Sequence, residues 1–164
     1  MQIESDLLTL VKDLPAFHAP ILNAFTPAKL ITDPEVLDRI GYNRLPQNIQ
    51  KPGTVSGPQL PYLSWKGPFA YDQGQTAVLS SRTKKAVFWF MCYHQTATDA
   101  MAWASAIEDV MLPLTYPYNL PTCRLIAAMI VDKCIVAADQ TQFTGKEYPL
   151  VCATIGYTFG YQAR

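Results

Sequence analysis

The chain has no excess of positive charge. Thirteen Lys and Arg balance thirteen Asp and Glu, for a formal net charge of +0. A nucleic-acid binder of this size usually shows a basic surplus, because phosphate contacts supply most of the affinity. Recognition of a nucleic-acid sequence is therefore not expected. Long apolar runs are missing too, and nothing reaches the length that spans a bilayer. The start, "MQIESDLLTL", lacks a basic segment ahead of an apolar core. The expectation is a protein made and kept in a cytosol, or in an assembly built there, with no membrane partner. Charged residues are scarce at 16%, while 49% are apolar. That balance is globular and argues against disorder. A chain of 164 residues is long enough to bury a real core, and a single domain over 1–164 is expected.

Recognisable catalytic motifs are also missing. G-x-S-x-G, H-E-x-x-H, a P-loop and G-x-G-x-x-G are all absent. The four cysteines, Cys92, Cys123, Cys134 and Cys152, form no C-x-x-C. His18 and His94 stand at no zinc-like spacing from them. All four cysteines lie in apolar strand-like segments and read as small hydrophobes. Cys92 and His94 suggest a nucleophile and a base, but no orienting third group presents itself. Glu108 and Asp109 read as solvated helix charges, as do Glu4 and Asp6. No catalytic, cofactor-binding or metal-ligating residue is expected, and no cofactor.

What is present is a clear run of elements. In "IESDLLTLVKDL" (3–14), Ile3, Leu7, Leu10, Val11 and Leu14 recur at helical spacing, and Pro15 stops the pattern. "DPEVLDRIG" reads as a second helix, with Asp33 as N-cap, Pro34 at the first position and Gly41 past the end. From 42 to 74, prolines and glycines interleave too densely for long elements. This region reads as an irregular arm, with "PYLSWK" a short edge strand inside it. "TAVLSSRTKKAVFWFMCYH" then gives a strand after a polar turn or hairpin. "TATDAMAWASAIEDVM" is a helix opened by Thr96 and Asp99 at capping-box spacing. Its face carries Ala100, Trp103, Ala104, Ile107, Val110 and Met111, and Pro113 stops it. "RLIAAMIVDKCIVAAD" and "PLVCATIGYTFGYQ" are two further strands. The layout is α+β: a mostly antiparallel sheet with helices packed on one face, plus a long Pro/Gly-rich arm.

Two strands stand out. In 84–94, Val87 to Tyr93 is apolar without interruption, so both faces of that strand need cover. In the last strand, Val151, Ala153, Ile155, Tyr157, Phe159 and Tyr161 point one way. Cys152, Thr154, Gly156, Thr158 and Gly160 point the other. The second face is small and flat and admits a close neighbour. The aromatics suggest a base-stacking platform, but the basic frame is thin: Lys84, Lys85 and Arg124. Core or interface is the better use for them.

The order of these pieces resembles the tail terminator (tail completion) proteins of long-tailed bacteriophages, and more loosely the head–tail joining proteins. The features that carry this are the N-terminal helix, the "PYLSW" strand, "AVFWFMCYH" running into "DAMAWASAIEDVMLPL", and the closing "CATIGYTFGYQ". The resemblance covers most of 60–164 and weakly the first helix. The segment from about Ala16 to Leu60 departs from it, being longer and richer in proline. The resemblance implies a structural virion protein without catalytic residues, placed in the tail or neck and assembled in the host cytoplasm. It implies a homo-oligomeric ring, commonly a hexamer, that caps the tail tube and joins it to the head connector. The candidate subunit or tube interface is Tyr62, Trp65, Phe69, Tyr71, Phe88, Trp89, Phe90, Tyr93, Phe143 and Tyr148. The second face of 86–93 is covered either by a neighbouring subunit or by the 42–74 arm. The alternatives to an assembly protein are a small α+β enzyme using His94 and Cys92, or a ligand-binding module using the aromatic last strand.

Overall fold

The computed structural model describes residues 3–44, 48–49, 57–58, 60–69, 83–137 and 151–164. The expected apolar stripe becomes the buried side of α1 (Ile3–Asp13). Glu4 and Asp6 lie in its first turn and Lys12 in its last, the signs the helix dipole favours. Pro15 then opens a 3-10 turn, Pro15–Phe17, leading to the short α2 (Ala19–Asn23). Asp33 caps α3 (Pro34–Leu37), accepting the Glu35 N–H at 3.0 Å. The helix ends four residues before Gly41. Ile40–Tyr42 leaves it as β1 and pairs in parallel with Leu63, Ser64 and Trp65. A one-turn helix is marginal alone, so the sheet takes these residues.

Within the 42–74 region, β2 (Asn48–Ile49) and β3 (Gly57–Pro58) form a two-residue antiparallel ladder. β4 (Tyr62–Phe69) follows. It was expected at an edge, but it is flanked by β1 on one side and by β5 (Lys84–His94) on the other. The other parts of the expected arm lie outside the described residues. Thr96 caps α4 (Ala97–Met111), accepting the Asp99 N–H at 3.1 Å. The chain continues through β6 (Tyr118–Asn119), β7 (Cys123–Ala137) and β8 (Val151–Ala163).

The six-stranded sheet runs β1-β4-β5-β8-β7-β6. Only the β1–β4 pair is parallel. The fold is α+β. The helix-side face of the sheet buries Leu63 and Trp65 of β4, Phe88 and Phe90 of β5, and Ile155, Tyr157 and Phe159 of β8. They pack against Leu7 and Leu10 of α1 and Trp103 and Ile107 of α4. Phe90 sits at the centre, edge-on to Phe17 at 5.1 Å and to Phe159 at 6.4 Å.

Two polar contacts fix the helices on this face. Trp65 Nε1 donates to the Glu4 carbonyl at 2.8 Å, and Trp103 Nε1 donates to the Phe17 carbonyl at 3.3 Å. Asp6 is not the solvated helix charge that its position suggested. It is buried, and its Oδ2 accepts from the Thr122 N–H at 2.8 Å, the Thr122 hydroxyl at 2.9 Å and the Cys123 N–H at 3.1 Å. The first turn of α1 is thereby tied to the start of β7.

The opposite face of the sheet is closed in the middle by the chain itself. Tyr62, Met91, Tyr93 and Cys152 form a second buried cluster, with Tyr62 and Tyr93 edge to face at 6.4 Å. Beside it the Trp89 ring lies over Gly156, where a Cβ would come within 2.9 Å of three ring atoms. The small face of β8 thus receives a tryptophan from its own sheet neighbour. At the end of β4, Gly67 adopts φ +147, and a Cβ there would meet Phe88 at 2.6 Å. That glycine makes the irregular pairing between Lys66 and Phe69 possible.

Candidate functional site

The expected interface aromatics divide into four groups. Trp65, Phe88 and Phe90 are fully buried on the helix side. Tyr62 and Tyr93 face the other way, and the chain alone buries them. These five are buried within the chain itself, because sheet pairing stacks them against one another. Trp89 is half-buried over Gly156, and Phe69 is exposed. Tyr71, Phe143 and Tyr148 lie outside the described residues. Tyr157, Phe159 and Tyr161, the last-strand aromatics that suggested a stacking platform, are core side chains as well.

The exposed apolar surface is concentrated on β7. Met129 is 66% exposed, and Ile130, Val131 and Ile135 are each about half exposed. Geometry explains this. β6 pairs with β7 only at Leu125 and Arg124. Among the described residues, no strand occupies that side of β7 from Ile126 onward. An unpaired row of N–H and C=O groups flanked by apolar side chains is a template for another strand. Two devices limit indiscriminate pairing there. The register shifts between Leu125 and Ala127 and again between Ile130 and Asp132. Asp132 and Lys133 sit mid-strand, with the Lys133 ammonium 3.4 Å from Glu108 of α4 and donating to the Ser105 hydroxyl at 3.1 Å. At the opposite end of the sheet, β4 runs past β1: the parallel pairing ends at Trp65, and the strand continues to exposed Phe69. The run "AAMIVDKCIVA" was visible in sequence as a strand. Its place at a sheet edge was not.

Among the described residues, cavities border the helices. One of about 350 Å³ holds His94 and Asp99 among Ala16, Ala19, Pro20 and Trp103. The His94 ring packs edge-on to Trp103 at 6.3 Å, and its Nδ1 accepts the Gln95 N–H at 2.9 Å. Burial lowers the His94 pKa, against the pull of Asp99 at 3.9 Å. Cys92 is fully buried, and its desolvated thiol is pushed well up. A buried neutral thiol is a poor nucleophile. A second cavity, about 450 Å³, lies between α1, α3 and β1 and is lined by Asp38, Tyr42, Arg44 and Trp65. The third, about 190 Å³, sits between the end of α4 and β7, and Tyr116 and Tyr157 line it. Among the described residues, no group of three His, Cys, Asp or Glu could hold a metal, and no helix is long and apolar enough to cross a membrane.

No family model and no curated protein matches the chain. One solved structure, which carries no functional name, is similar at a TM-score of 0.38 and 10% identity, over 93% of this chain and 94% of its own. A likeness at that level carries no weight for fold or function.

Proposed function

We propose that the chain is a structural assembly protein that closes into a homo-oligomeric ring, and that it serves as a tail terminator, or a neighbouring connector, of a long-tailed phage. In this role the ring caps the tail tube and presents a surface to the head connector. The phage assignment rests on the sequence resemblance. The observation that supports self-assembly is the long apolar β7 edge, open from Ile126 onward among the described residues. The sheet's other end is unlike it, a strand end carrying exposed Phe69. Two unlike edges on one subunit suit head-to-tail contact, which closes into a ring when the rotation permits.

The role is tested by adding the purified protein, in substoichiometric amounts, to tail-tube protein polymerising in vitro. A terminator stops elongation and leaves short tubes capped at one end in electron micrographs. Tubes of unchanged length and bare ends contradict the role.

A further inference from the structure

The turn from β5 into α4 is held by a titratable ring. His94 ends β5, Gln95 follows, and Thr96 caps α4. The His94 Nδ1 lies 2.9 Å from the Gln95 nitrogen and accepts its N–H. A backbone N–H can only donate, so Nδ1 keeps its lone pair and the neutral ring carries its proton on Nε2. The same Nδ1 lies 3.9 Å from Oδ2 of Asp99. That carboxylate belongs to the helix cap. Its Oδ2 accepts from the Thr96 hydroxyl at 2.8 Å, while the Asp99 N–H donates to Thr96 Oγ1 at 3.1 Å. One ring nitrogen is therefore near both a donor and an anion, and its protonation decides which of the two it can engage.

We propose that His94 is a pH-operated switch at the start of α4: the neutral ring holds the Gln95 N–H, and the protonated ring releases it and pairs with Asp99. The step is the uptake of one proton from solvent, which reaches the ring because the side chain is partly exposed. With a proton on Nδ1, two N–H donors would stand 2.9 Å apart, so the Gln95 amide loses its acceptor. The new Nδ1–H gains a carboxylate instead. The ring packs edge-on to Trp103 at 6.3 Å, and Trp103 is itself tied to the Phe17 carbonyl. The Gln95–Thr96 turn is therefore the part that yields. Among the described residues, Asp99 is the charged group that acts on the ring. Ala16, Ala19, Pro20 and Asn23, across from it, carry no charge, and neither does Val151, its partner on β8. Burial and the positive end of the α4 dipole both oppose a cation here. The Gln95-bonded state is thus the resting one near neutral pH, and the switch trips in mild acid. It needs one chain alone and is independent of ring closure.

The test follows the full chain by NMR from pH 7.5 to 5. Long-range proton–nitrogen correlation reads the His94 ring, and shifts and hydrogen exchange read the Gln95 and Asp99 amides. At pH 7.5 the ring should be the Nε2–H tautomer. The Gln95 and Asp99 amides should move with the same midpoint as the ring, below the usual ~6.5. Protection of the Gln95 amide should fall about 5-fold across that midpoint, the weight of one hydrogen bond. Asp99→Asn keeps an acceptor for the Thr96 hydroxyl but removes the charge, and should move the midpoint further down. His94→Gln should abolish the step at Gln95. The tautomer is read on the wild type and does not depend on a variant folding. An Nδ1–H ring at pH 7.5 overturns the proposal. So does a ring that titrates while the Gln95 amide stays still, or an Asp99→Asn midpoint at or above that of the wild type.

Discussion

Asp6 shows how one side chain can join distant parts of a chain. Its carboxylate takes three donors from Thr122 and Cys123, more than a hundred residues away. Removing it leaves two backbone N–H groups unsatisfied at the start of β7. Asp6→Ala should therefore cost about 2–4 kcal/mol, measured by urea unfolding. A cost within the range of a surface substitution would show that water replaces those bonds. Nothing in "IESDLL" distinguishes Asp6 from Glu4, because a helical pattern gives the face and not what meets it. His94 makes a pH-dependent contribution. Its folded pKa lies below the usual ~6.5, chiefly through burial. The unfolded chain therefore takes up the proton first as pH falls. Stability should be full above about pH 6.5 and decline as pH drops from there through the lowered folded value. His94→Gln should remove that part of the slope in unfolding measured between pH 7.5 and 5. A slope unchanged in His94→Gln would assign it to other groups.

At the level of elements, caps and periodicity made most of the helices readable. Thr96 and Asp33 both cap where they were expected to. α3 was overextended because Ile40–Tyr42 pairs across the sheet with β4, a contact no local pattern encodes. The same pairing turns the expected edge strand into an interior one. The alternation of β8 was legible, and so was the small size of its second face, but not its occupant. Trp89 of β5 lies directly over Gly156 of β8, and a methyl group there would meet the indole at 2.9 Å. Gly156→Ala should cost about 1–3 kcal/mol through displacement of the ring, with a shift in tryptophan fluorescence. A variant as stable as wild type with unchanged emission would mean that the ring is not held against the strand.

For the molecule as a whole, the doubly apolar β5 run left two covers open, a neighbouring subunit or the chain's own 42–74 arm. The chain alone buries both faces of the strand's centre: Phe88, Phe90 and Cys92 on one side, Met91 and Tyr93 on the other. The α+β layout followed from the order of elements. Five of the expected interface aromatics, Tyr62, Trp65, Phe88, Phe90 and Tyr93, are buried by the chain itself, because aromatic strand residues are the ones a core consumes first. Strand order places the exposed apolar surface at β7, and one sequence does not contain strand order. Self-assembly through that edge is tested most directly by the mass in solution, from light scattering after size exclusion at two concentrations, for the wild type and for Val131→Lys. The expected result is a discrete closed oligomer for the wild type, or a monomer that converts to one as concentration rises, with folded Val131→Lys remaining monomeric. A wild type that is monomeric at both concentrations, or a Val131→Lys variant that assembles as fully as the wild type, would contradict it.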